Sequence, residues 1–158
     1  MSMAQSVPPN WTQVVGAFGQ FVTWILVIAG WVVVNGQHNQ RETRKELRAR
    51  LDELRSELCR LEQCAETYHT CPYHQEPVAR KIKVLLQRIS DGIDQVGILN
   101  RQVHDVRLIA LRRSVTYHNF DTKSHVAQDL SGPLIAEINA SVDELIKALE
   151  SGFRTRFP

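Results

Sequence analysis

Five residues with metal-binding side chains lie within sixteen positions: Cys59, Cys64, His69, Cys71 and His74. Thiolate and imidazole are the ligands that zinc prefers, so the cluster raises a metal site first. Its spacing is loose. Cys59 and Cys64 are five residues apart, which on a helix places them about 140° from one another, and there is no CxxC pair to form a knuckle. Cys64, His69, Cys71 and His74 would make a four-ligand set if the chain after Cys71 folds back over the helix end. The plainer reading makes the first two cysteines small, partly buried helix residues and the histidines solvated loop residues. Three cysteines give no reason to expect a disulfide framework. The expectation is therefore no bound cofactor, with zinc as the alternative.

Other chemistry is sparse. There is no phosphate-binding GxxxxGK[ST], no GxSxG, no HExxH and no dinucleotide-type glycine pattern, so the chain is expected not to be an enzyme. His104, His118 and His125 stand alone, and His104-Asp105 reads as a surface pair. The sequon Asn10-Trp11-Thr12 carries no weight at the edge of an apolar segment.

The elements that would hold these residues are helices. Leu47, Leu51, Leu54, Leu58, Leu61, Ala65 and Tyr68 step by 4, 3, 4, 3, 4 and 3, a heptad seam with arginine and glutamate between. Cys71-Pro72 stops it, and Tyr73 to Pro77 reads as a loop. A second stripe runs through Val78, Ile82, Leu85, Ile89, Ile93, Val96, Leu99, Val103, Val106 and Ala110, with Gly92 and Gly97 weakening its middle and allowing a kink or break. Thr116 to Gly132 is polar and reads as loop. Pro133 suits a helix first turn, and Ile135, Ile138, Val142, Leu145 and Leu149 form a last stripe ending near Ser151-Gly152. Helices are expected over about 38–70, 78–113 and 133–151, with no period-2 strand pattern. The fold class is all-α: an antiparallel bundle or coiled coil in which each stripe covers the others.

Ahead of the bundle, Val14 to Val34 is twenty-one residues without a charge. A helix of that length spans a hydrocarbon layer roughly 30 Å thick, so 14–35 is expected to be a single transmembrane helix. Trp11 and Trp31 fall about 30 Å apart, as interface anchors should. The run lacks the basic leader and small-residue cleavage site of a signal peptide. Gly16, Gly19, Gln20, Thr23 and Gly30 form a stripe of small residues plus one amide, suited to packing against another membrane helix. Arg41, Arg44, Lys45, Arg48 and Arg50 follow the run against Glu42 and Glu46, which puts residues 1–13 outside and 36–158 in the cytoplasm.

The net charge of +2 conceals a distribution. Residues 78–113 hold 8 basic and 3 acidic side chains, whereas 114–158 hold 4 and 6. That suits complementary helix faces or a basic face near anionic lipid, and there is no nucleic-acid motif. Gly30-Trp31-Val32-Val33-Val34-Asn35-Gly36-Gln37, with the basic helix after it, and Leu111-Arg112-Arg113-Ser114-Val115-Thr116-Tyr117-His118-Asn119-Phe120-Asp121 resemble small uncharacterised bacterial inner-membrane proteins with one N-terminal span and a helical cytoplasmic domain. The resemblance implies that location, no activity, and no functional residue to carry over.

The expected function is a membrane-anchored interaction or scaffold protein, pairing with its own copies or a protein partner through its helices. One alternative is a small membrane effector or lysis-type protein of a phage or mobile element, spanin-like if the C-terminus is external. The other is a metal or thiol sensor.

Overall fold

The computed structural model describes residues 11–117, 119–120 and 125–157; before Gln40 it describes the side chains of 24–28 and 31 only. Among the described residues there are four helices and no strand: α1 (Trp11–Thr70), α2 (Glu76–Val96), α3 (Arg101–Thr116) and α4 (Pro133–Arg156). The chain divides between Thr43 and Arg44 into two compact units. α1 runs through Gly36 without interruption.

The second unit is built on the heptad seam. Leu51, Leu54, Leu58, Leu61, Ala65 and Tyr68 are buried, Leu47 lies partly buried at the end of the row, and the stripes of α2 and α4 close over them. Ile82, Leu85, Ile89, Ile93 and Val96 supply the α2 side, and Ile135, Ile138, Val142, Leu145 and Leu149 the α4 side, so each amphipathic helix covers the apolar face of its neighbours. At the margin, Arg48 binds Glu150 at 2.9 Å and Asp52 at 3.1 Å, tying α1 to the last turns of α4.

The expected helix 78–113 is two helices. Gly97 takes φ +57°, a left-handed conformation in which an L side chain is strained, and its amide bonds the Ile93 carbonyl at 3.1 Å to close α2. Asn100 restarts the chain, its side-chain oxygen accepting from the Gln102 amide at 3.3 Å. The restart changes the phase. Val96 is the last buried residue of the second stripe, Leu99 is partly covered, and Val103 and Val106 are exposed. His104, Leu108, Leu111, Ser114 and Val115 face the core instead.

Before α4, Asp129 caps a turn. Its carboxylate accepts from the Ser131 amide and hydroxyl, both at 3.0 Å, which holds it below the usual carboxylate range. Pro133 opens the helix as expected, but α4 continues past Gly152 to Arg156. Phe153 is buried and rewards the extra turn, and at Gly152 a Cβ would run into the side chain of Ile98, so the glycine marks a close approach between helix and loop.

Candidate functional site

The Cys/His cluster lies where α1 ends, and it is organised around Tyr68. This side chain is fully buried, and its ring centroid is 5.1 Å from that of His69, 5.0 Å from Phe120, 5.0 Å from His125 and 5.8 Å from His74. Three of these contacts are edge-on, at 85°, 65° and 89° respectively for His69, His125 and His74, so electropositive ring edges meet π faces. The Lys83 ammonium sits 5.7 Å from the Phe120 centroid.

Each imidazole has a distinct task. His74 meets the Tyr68 hydroxyl with Nδ1 at 2.8 Å and the Glu76 carboxylate with Nε2 at 3.3 Å, joining the loop to the start of α2. His125 places Nδ1 3.0 Å from the Asn119 carbonyl and Nε2 3.0 Å from the Cys71 carbonyl. Carbonyl oxygens only accept, so both bonds exist together only when both ring nitrogens carry a proton. The Gln128 amide adds a 2.8 Å bond to the His69 carbonyl. The segment from 125 to 128 is thus strapped across the C-terminus of α1, whose last carbonyls have no partner within the helix.

His69 is the buried member. Its Nε2 donates to the Val115 carbonyl at 3.1 Å, while Nδ1 is buried with no hydrogen-bond partner among the described residues. Burial pushes its pKa down; the Val115 bond opposes this and the nearby His125 adds to it. The folded state therefore favours the neutral ring. The unfolded chain binds the extra proton near pH 6.5, so this contribution is complete above that pH and is lost as pH falls below it. In thermal melts between about pH 7.5 and about pH 5, His69→Gln, which keeps a donor for Val115, should lose less stability on acidification than the unaltered chain. An unchanged slope in the variant would contradict the assignment.

The structure does not assemble Cys64, His69, Cys71 and His74 as a ligand set; among the described residues no group of three or more His, Cys, Asp or Glu side chains could hold a metal ion. The reason is the length of α1. It stays helical to Thr70, so Cys64 remains on the helix against the core, and His69 turns inward to Val115. Cys71 follows in the loop and accepts from the Gln75 amide at 2.8 Å. Cys59, Cys64 and Cys71 are all free and half-buried.

Two residues read as isolated are not. His125 belongs to the Tyr68 cluster, through partners up to 54 residues away that no local pattern reveals. His104 is buried rather than a surface residue, with Nδ1 3.4 Å from Asp105 and 3.5 Å from Asp94. Asp94 near the end of α2 reaches it because the chain turns at Gly97. His118 lies outside the described residues.

In the first unit the side chains described before Gln40 are apolar and uncovered. Trp24, Ile25, Leu26, Val27, Ile28 and Trp31 are between 57% and 67% exposed. At about 100° per residue, the five consecutive positions encircle the helix. A Cβ at Gly30 would meet nothing within 4 Å. The side chains of Trp11, Gln20 and Thr23 and the surroundings of Gly16 and Gly19 are not among those described. Among the described residues no helix is long and apolar enough to cross a membrane.

No protein-family model matches this chain, and no curated protein and no solved structure matches it.

Proposed function

We propose that this protein is a membrane-anchored interaction protein without catalytic activity, in which the apolar N-terminal part of α1 inserts into a bacterial inner membrane and the helical bundle lies on the cytoplasmic side. The observation that carries the reading is the ring of exposed apolar residues from Trp24 to Ile28, within a run of twenty-one uncharged positions. A helix docked on another protein keeps one apolar stripe; a helix apolar on every side needs an apolar surround. Most of that run lies outside the described side chains, and its length rests on the sequence.

The bundle supports the second half of the reading. The stripes of α1, α2 and α4 are covered within the chain, so the bundle is a body to be carried rather than an unfinished coiled coil, and His74 and His125 are engaged in holding the segments that follow α1 and precede α4. The bilayer is the first partner; a protein partner or a second copy of the chain is the next. After expression in a bacterium, the full chain should stay in the membrane pellet through an alkaline wash and leave it only with detergent. Release by the wash alone would end the anchor reading.

A further inference from the structure

We propose that a cation-lined hollow between α1 and α2 binds an anion bearing two or more phosphate groups. The hollow has a volume of about 330 Å³ and takes Arg60 from α1 and Arg80, Lys81 and Arg88 from α2, with Val84 and Leu85 between them. Among the described residues no carboxylate lines it. All four cations are exposed. Arg80 reaches Glu76 at 3.5 Å, an exposed pair that water and salt screen, whereas Arg60, Lys81 and Arg88 have no ion-pair partner among the described residues. The site lies wholly within the second unit, so it stands whether or not the chain is anchored through its first.

The sequence keeps counter-charges away from this hollow. Lys81, Val84 and Arg88 step by 3 and 4 along one face of α2, and the residues one turn from Lys81 are Pro77, Val78, Val84 and Leu85, none of them acidic. On α1 the one acid a turn from Arg60 is Glu57, which lines a neighbouring hollow instead. That second hollow, of about 510 Å³ between the same two helices, is mixed: Arg50 and Arg88 stand with Glu53, Glu57 and Asp91. Charge is thus sorted along the groove, with Arg88 at the border between a mixed stretch and a purely cationic one. Like charges gathered without counter-ions repel, and an anion in the hollow removes that repulsion. Three of the four cations are arginines, whose planar forks match phosphate oxygens. A terminal phosphate carries about −1.5 to −2 near neutral pH, so two of them balance four cations where a carboxylate brings a single charge. This chemistry has two sources, a free oligophosphate and the paired phosphates of a lipid headgroup.

The test uses the full chain in a neutral detergent at low salt, titrated calorimetrically with inorganic pyrophosphate and, separately, with diphosphatidylglycerol carried in the same detergent. Lys81→Gln with Arg88→Gln should weaken binding roughly tenfold or more, the scale of a lost charge-assisted bond. Arg112→Gln with Arg154→Gln removes the same charge from exposed positions outside the hollow and should leave the affinity nearly unchanged. Glutamine matches the helix propensity of the residues it replaces, and circular dichroism checks that both double variants stay folded. Pyrophosphate binding with this dependence assigns the hollow to free oligophosphates, and binding of the lipid alone with the same dependence assigns it to a headgroup. No heat from either probe, or equal loss in the two double variants, would overturn the proposal.

Discussion

Leu58→Asp is expected to unfold the bundle, not merely to separate copies of it. Leu58 is fully buried in the middle of the α1 seam, enclosed by the stripes of α2 and α4. Truncating a buried leucine costs about 2–5 kcal/mol, and a carboxylate placed there without a partner adds several more, whether it stays charged or takes up a proton. A domain of this size is stable by about 5–15 kcal/mol, so one substitution approaches or exceeds the whole. Leu58→Ala should lower the melting temperature yet leave a cooperative transition. If the heptad seam joined separate chains instead, Leu58→Asp would leave a helical monomer that melts cooperatively. Circular dichroism with urea titration separates these outcomes, and a folded Leu58→Asp monomer would contradict the packing described here.

The second large effect concerns the apolar run. One arginine at the centre of a membrane helix costs about 2.5–3.5 kcal/mol on the insertion scale, so Leu26→Arg with Ile28→Arg should cost about 5–7 kcal/mol and move the chain from pellet to supernatant. The two positions point about 200° apart around the helix. Against lipid, each single variant should weaken retention; against a one-sided protein groove, one of them should be tolerated. Ser56→Arg with Gln87→Arg, on exposed faces of the bundle, should change nothing. Retention of the double variant after an alkaline wash would mean that the run is held by something other than hydrocarbon.

The parts of the fold legible in the sequence are those whose signal is local and periodic. Leu47 to Tyr68 repeats at the helix period because its burial is continuous, and the α4 stripe from Ile135 to Leu149 is legible for the same reason. The second stripe misleads beyond Leu99. Its residues keep their heptad spacing through Ala110, but Gly97 resets the phase, so spacing that looks like core becomes an outer face while His104 and Leu108 turn inward. Glycine in the sequence signals a weak point; it does not say through what angle the chain restarts.

The Cys/His cluster was only partly legible. The density of ligand-type residues at the end of α1 drew attention to the right place, yet chemistry follows from the directions of side chains and these depend on distant contacts. His69 turns to Val115, and His125 arrives from the segment before α4 to bridge Cys71 and Asn119. Tyr68 reads as the last member of a packing seam, and it is; that it also centres four aromatic or imidazole rings depends on Phe120 and His125 arriving from beyond α3.

The most direct test of an anchored bundle on the cytoplasmic side is a C-terminal fusion of the full chain, made once with a reporter active only inside the cell and once with one active only beyond the inner membrane. The cations from Arg41 to Arg50 should hold the C-terminus inside, so the cytoplasmic reporter is expected to be active and the external one silent. An active external reporter would contradict the account: it would place the bundle and its three cysteines on the oxidising side, and the flanking charges would no longer explain how the chain is oriented.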